Sequence, residues 1–94
     1  MHKKRSRLDI IGDMLSCIQQ SSGKIKPTHL MYKANLSHQQ MSSYLEELQG
    51  KEAIERSTVH GKKKDSDYIL LTDKGHSLLA KIKEMKEFEQ AFGL

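Results

Sequence analysis

The sequence contains one cysteine (Cys17), one proline (Pro27), no tryptophan and only 5% aromatic residues. A single cysteine excludes an internal disulfide and a metal site built from several thiolates. No apolar run approaches the roughly 18 residues that a membrane span requires, so we expect a cytoplasmic protein without a membrane partner. The shortage of aromatic residues argues against the stacking surfaces with which many proteins bind RNA or single-stranded DNA.

The residues that are present form no pattern typical of catalysis or metal binding. The histidines lack the i, i+4 spacing of a helical zinc site and have no cysteine partners; they are His2, His29, His38, His60 and His76. No carboxylate pair, glycine-rich phosphate loop or Ser/His/Asp group stands out. We therefore expect no enzyme, no cofactor, no metal and no small-molecule ligand, and we interpret Cys17 as a small apolar residue beside the core.

Positive charge is concentrated in two short segments. The net charge is +4, and one basic segment precedes residue 8 while the other is a lysine run in the second half of the chain. Their members are Lys3, Lys4, Arg5 and Arg7, and Lys62, Lys63 and Lys64. From Asp73 onward the lysines and acidic residues balance. This distribution indicates a polyanionic partner.

The first half of the chain predicts three helices. Apolar residues spaced by three and four from Leu8 to Ile18 predict an amphipathic helix that ends at the Ser21-Ser22-Gly23 cluster. Pro27 suits the first position of a short second helix, which Asn35 can close in a left-handed conformation. Ser37 caps the third helix, and Gln40 completes a capping box. Two short helices joined by a tight turn predict a helix-turn-helix.

The second half predicts a hairpin and a long helix. Residues 54–59 and 68–71 are typical of strands, and the polar loop 60–67 carries the three lysines. Thr72 caps a last helix that runs to about Phe92. We therefore predict a mainly α fold with a small β-hairpin, divided into a flexible basic arm (1–7), a winged helix-turn-helix domain (8–72) and a C-terminal dimerisation helix (73–94).

Four segments resemble a known family. They are Arg7-Leu-Asp-Ile-Ile11, Pro27-Thr-His-Leu-Met-Tyr-Lys-Ala-Asn-Leu-Ser37, Leu71-Thr-Asp-Lys-Gly75 and Glu87-Phe-Glu-Gln-Ala-Phe-Gly-Leu94. In these segments the chain resembles small archaeal winged helix-turn-helix DNA-binding proteins of the ten-kilodalton Sulfolobus chromatin-associated kind. The resemblance implies a winged-helix fold, duplex DNA binding and a homodimer joined through the last helix.

The third helix departs from this family in its outer face. Relatives tend to carry basic residues after the capping serine, whereas this chain has His38, Gln39, Gln40, Ser42 and Ser43. These side chains can contact base edges, since glutamine pairs with adenine and serine with several bases. They also fit an ordinary solvated helix face. The departure favours site-specific regulation over non-specific coating of chromatin in the nucleoid.

The candidate DNA-binding residues fall into four groups. These are the basic arm, the second helix (Thr28, Lys33), the third helix with its cap (Ser37, His38, Gln39, Gln40, Ser42, Ser43) and the hairpin loop (Lys62, Lys63, Lys64). The loop could instead be a solvated tip, because Asp65 and Asp67 partly neutralise it. For Tyr32, backbone contact and half-buried packing both stay open.

The last helix carries an apolar stripe at near coiled-coil spacing, which Glu89 interrupts. A helix of about 30 Å is longer than a small domain needs to cover its own core, so the surplus predicts a homodimer. Its expected interface is Leu78, Leu79, Ile82, Met85, Phe88 and Phe92. The alternative function is a protein–protein adaptor, because Glu46, Glu47, Glu52 and Glu55 make one edge acidic. The basic loop and arm favour DNA.

Overall fold

The structure is a computed structural model that describes residues 5–93. Four helices and three strands follow one another in these residues. They are α1 (Arg7–Gln20), β1 (Lys24–Ile25), α2 (Pro27–Lys33), α3 (His38–Gly50), β2 (Ile54–His60), β3 (Asp65–Leu71) and α4 (Asp73–Ala91). The predicted fold class, three helices with a hairpin and a long last helix, is confirmed.

Helix α1 begins one residue earlier than its apolar pattern predicts. Ser6 is its N-cap: the Ser6 hydroxyl accepts the Asp9 N–H at 3.1 Å, and the Asp9 carboxylate accepts the Ser6 N–H at 3.0 Å. This capping box satisfies two helix-end donors. Residues 5–7 therefore belong to the folded domain, and the predicted flexible arm of residues 1–7 extends too far. Lys3 and Lys4 lie outside the described residues.

Helix α2 ends in a Schellman motif, as the left-handed role predicted for Asn35 requires. Asn35 has a φ of 54°. The Leu36 N–H donates to the Met31 carbonyl at 3.0 Å, and the Asn35 N–H donates to the Tyr32 carbonyl at 3.2 Å. Leu36 is buried next to this turn, which makes the apolar contact that usually accompanies the motif. The helix-turn-helix is thus closed by local hydrogen bonds and one apolar anchor.

The sheet has three antiparallel strands in the order β1-β3-β2. Ile25 and Arg56 both pair with the fully buried Ile69 at the centre of the sheet. The sequence pattern did not predict β1, and it started β3 three residues late. In the structure the two strands of the hairpin pair from Ile54↔Leu71 out to His60↔Asp65. The loop between them is therefore Gly61–Lys64, shorter than the predicted 60–67.

The core lies between α1, α3, the sheet and the first half of α4. Its fully buried large side chains are Met14, Leu15, Ile18, Leu30, Leu48, Ile54, Ile69 and Leu79. Helices α1 and α4 approach closely, because a Cβ added at Gly12 would lie 3.2 Å from Ile82 Cγ2. The core ends at Ile82 on α4, and α4 continues beyond it into an exposed segment.

Candidate nucleic-acid interface

The start of α3 is held by the predicted capping box. Ser37 Oγ accepts the Gln40 N–H at 3.1 Å, and Gln40 Oε1 accepts the Ser37 N–H at 3.1 Å. Gln40 therefore serves the cap. Met41, Leu45 and Leu48 face the core, which turns the other predicted side chains of this helix to solvent: His38, Gln39, Ser42 and Ser43.

The three lysines of the hairpin lie at its tip. The Gly61 N–H donates to the Lys64 carbonyl at 3.1 Å, and a Cβ at Gly61 would lie only 2.4 Å from that oxygen. Only glycine allows this close approach. The turn fixes Lys62, Lys63 and Lys64 on one exposed loop, where a wing can reach nucleic acid.

The two acidic residues beside this loop have other partners. Asp65 Oδ1 lies 3.1 Å from His60 Nδ1, and Asp67 Oδ1 accepts the Thr58 hydroxyl at 2.9 Å. No lysine of the loop forms an ion pair with the residues that the structure describes. Direct ion pairs to these two carboxylates therefore do not hold the loop lysines in place.

A groove between the start of α2 and the hairpin adds positive residues that the sequence pattern missed. Lys26, Thr28, Arg56 and Lys64 line this groove together with Asp65 and Asp67, and its volume is about 360 Å³. Nearby, Lys24 Nζ lies 4.1 Å from the centre of the Tyr68 ring, a cation–π contact. Arg56 is 30 positions from Lys26 in the sequence, and the two come close because β1 and β2 both pair with β3.

The cations divide into two sets by ion pairing. Among residues 5–93, those with a carboxylate partner are Arg5, Arg7, Lys51, Lys74, Lys81 and Lys86. In the same range, those without one are Lys24, Lys26, Lys33, Arg56, Lys62, Lys63, Lys64 and Lys83. All of the second set except Lys83 lie on β1, on α2 with its N-cap Lys26, or on the hairpin. We call these seven residues the unpaired basic surface.

The structure contradicts the prediction that Arg5 and Arg7 belong to a free basic arm. Arg5 bonds to Asp13 and to two backbone carbonyls, and Arg7 forms an ion pair with Glu47 of α3. The hydrogen bond from Arg7 is the main reason that the pKa of Glu47 falls below its ordinary value. Internal carboxylates therefore occupy both guanidinium groups.

The two predicted contacts on α2 are both exposed. Thr28 lies in its first turn and Lys33 at its C-terminal end. Tyr32 is 74% exposed, which excludes the half-buried packing that the sequence left open. Lys33 is thus the member of the unpaired basic surface that lies on α2, and Thr28 and Tyr32 are exposed on the same helix.

The predicted dimer interface is partly wrong. Leu79 and Ile82 are 2% and 3% exposed, because they pack into the core of their own domain, and Leu78 is partly buried against it. Met85, Phe88 and Phe92 are 49%, 57% and 69% exposed. The rings of Phe88 and Phe92 pack together with centroids 4.7 Å apart. Only this second group is free to meet a partner.

Cys17 is partly buried against the core. Burial, followed by the charge of Asp13, raises the pKa of its thiol. In residues 5–93 no group of three or more His, Cys, Asp or Glu side chains is placed to hold a metal ion. In the same range no helix is both long and apolar enough to cross a membrane.

Comparison with known proteins extends over nearly the whole chain. The sequence profile of the winged helix-turn-helix family matches residues 4–90. No curated protein sequence is detectably similar.

Solved structures with the same fold come from several sources. Sso10a-2, a DNA-binding protein from Sulfolobus solfataricus, is 22% identical with a TM-score of 0.76, over 94% of this chain and 85% of that one. The protein smu.1704 from Streptococcus mutans is 16% identical with a TM-score of 0.81, over 96% and 87%. NMB1585, a MarR family regulator from Neisseria meningitidis, is 20% identical with a TM-score of 0.63, over 89% and 59%. The resemblance to small archaeal winged-helix proteins is thereby confirmed.

Proposed function

Since the chain belongs to the winged helix-turn-helix family, we propose that it binds duplex DNA as a homodimeric transcriptional regulator or small chromatin protein. The unpaired basic surface carries this proposal. Seven cations without carboxylate partners among the described residues border the helix-turn-helix and its hairpin, whereas six others are neutralised internally. Phosphate contacts with such cations supply most of the affinity of non-specific DNA binding.

In this proposal α3 lies in the major groove and the hairpin serves as the wing. The exposed His38, Gln39, Ser42 and Ser43 contact base edges. The three loop lysines contact backbone phosphates or the minor groove, while Lys26, Lys33 and Arg56 bind phosphates nearby. Sso10a-2 is described as a DNA-binding protein and NMB1585 as a MarR family regulator, which supports the same assignment here.

The dimer in this proposal forms through the exposed end of α4. Met85, Phe88 and Phe92 follow the last core residue of that helix, and Leu8 of α1 borders the same groove as Met85. Burying these side chains against a second copy removes apolar area from water. Two-fold symmetry then predicts half-sites separated by about one helical turn or a multiple of it.

A protein–protein adaptor fits the charge distribution less well. The acidic edge includes Glu47, which pairs with Arg7 and Lys51, and Glu52, which pairs with Lys74. Internal cations thus reduce the negative charge that a basic partner would meet.

The groove residues provide a direct test, because no sequence pattern singles them out. Fluorescence anisotropy with labelled duplex DNA compares the wild type with Lys26→Ala/Arg56→Ala. A matched control, Lys81→Ala/Lys83→Ala, removes the same charge from α4. We expect the groove variant to bind roughly tenfold more weakly and the control to bind like the wild type. Equal binding by both variants, or no binding by the wild type at low salt, would contradict the proposal.

A further inference from the structure

The guanidinium group of Arg5 joins the N-terminal segment to the turn between α2 and α3. Its Nη1 donates to the Ala34 carbonyl at 2.7 Å and to Asp13 Oδ2 at 3.1 Å, and its Nη2 donates to the Asn35 carbonyl at 2.8 Å. The side chain is 32% exposed. One planar group thus connects α1 to two successive carbonyls about 30 residues further along the chain.

These two carbonyls have no backbone donor of their own. The Schellman motif of α2 satisfies the carbonyls of Met31 and Tyr32, and no backbone N–H in residues 5–93 donates to Ala34 or Asn35. Their bonds to Arg5 are charge-assisted, and such bonds are shorter and stronger than those between neutral groups. Arg5 therefore completes the hydrogen bonding of the turn.

The same turn determines where α3 starts. Asn35 holds a left-handed φ of 54°, which costs free energy in a residue other than glycine. Ser37, two residues later, begins the capping box of α3. Asp13 orients the guanidinium from α1, and a planar fork can hold two carbonyls and a carboxylate in a way that a flexible ammonium group cannot.

We propose that Arg5 is a positioning residue for DNA binding: it fixes the α2–α3 turn so that α3 is presented to DNA in one orientation, and it makes no phosphate contact. This inference rests on the proposed function. A turn that is ordered before binding lowers the entropic cost of the complex. Removing Arg5 should weaken binding without reducing the number of phosphates that the protein neutralises.

The test measures DNA affinity and its salt dependence for Arg5→Ala and Arg5→Lys. A control, Lys83→Ala, removes one exposed charge from α4. We expect both Arg5 variants to bind about five- to tenfold more weakly, because the complex must then order the turn. Their plots of log affinity against log salt should keep the wild-type slope. Lys83→Ala should match the wild type in both measurements.

A phosphate-contacting Arg5 would give a different result. In that case Arg5→Lys would bind like the wild type, and Arg5→Ala would flatten the salt slope by about 0.9; either finding overturns the inference. Wild-type affinity in both Arg5 variants overturns it as well.

Amide hydrogen exchange in the free protein separates this inference from the proposed function. Exchange of the Ala34, Asn35 and Leu36 amides should accelerate in both Arg5 variants while the α1 core amides keep their protection. Unchanged exchange at the turn would refute the role of Arg5 there. If the wild-type protein binds no duplex DNA, the proposed function fails, and exchange still decides whether Arg5 holds the turn.

Discussion

Single residues decide whether the elements of this small domain can approach one another. Gly75 is the clearest case, because its position in the first turn of α4 lies against the backbone after α3. A Cβ at this position would be 2.1 Å from the Ala53 carbonyl oxygen. The same junction is held by Thr72, whose hydroxyl donates to the Glu52 carbonyl at 2.6 Å and accepts the Gly75 N–H at 3.0 Å. Close packing at this junction therefore explains why the Leu-Thr-x-x-Gly run has threonine and glycine at these positions.

Gly75→Ala should destabilise the protein. The clash is with the Ala53 backbone as well as with the Leu71 side chain, so α4 or the residues after α3 must shift; overpacking of this kind costs about 1–3 kcal/mol. Urea unfolding followed by circular dichroism measures the effect. Gly50→Ala is the matched control, because nothing lies within 4 Å of its Cβ. A Gly75→Ala variant as stable as this control would contradict the steric explanation.

At the scale of elements, an ion pair joins the first helix, α1, to the last helix, α4. The Asp9 carboxylate of α1 lies 2.9 Å from Lys86 Nζ of α4. The hydrogen bond from Lys86, followed by those from Ser6, lowers the pKa of Asp9 from 3.8 to about 2. Because the folded-state pKa is depressed, the pair stabilises the fold above the ordinary aspartate pKa. This contribution is lost as the pH falls toward 2.

Lys86→Met should raise the pKa of Asp9 toward its ordinary value, because the largest cause of its depression is removed. Titration of the Asp9 carboxyl by nuclear magnetic resonance measures the change. The stability difference between the variant and the wild type should be present at neutral pH and disappear near pH 2. Lys83→Met, on the same helix without an ion pair among the described residues, should leave the pKa unchanged. An unchanged pKa in Lys86→Met would contradict the assignment.

The sequence predicted those elements whose signals are local. The capping box of α3, the left-handed Asn35 and the lysine tip each depend on residues within a few positions. It missed β1, because two residues between Gly23 and Lys26 show no periodicity. The polar start of β3 reads as loop, since only pairing with β2 makes it a strand. Likewise, no local pattern reveals that Arg5 meets residues 34 and 35.

At the scale of the whole molecule, α4 extends past the core. The molecule measures 54 × 30 × 22 Å. Along α4, the residues of the apolar stripe change from buried to exposed. Leu79 and Ile82 belong to the domain's own core, whereas Met85 and Phe88 are exposed. The sequence pattern predicted which face of the helix is apolar. It did not show where the core of one chain ends.

In the proposed dimer, Phe88→Glu would place a charge in the buried apolar face and should therefore convert the dimer into a monomer. Sedimentation velocity over a range of concentrations measures the change. Ala80→Glu, at an exposed position nearer the start of α4, should leave the dimer intact. A wild-type protein that sediments as a monomer at high concentration would refute the proposed dimer.

The salt dependence of duplex DNA binding tests the proposed role of the unpaired basic surface most directly. The measurement compares the wild type with Lys62→Ala/Lys63→Ala/Lys64→Ala. We expect the wild-type affinity to fall linearly with log salt, and the wing variant to have a slope shallower by about 2–3 per protomer, since each phosphate contact contributes about 0.9. Absence of binding at low salt, or a wing variant with the wild-type slope, would contradict the proposal.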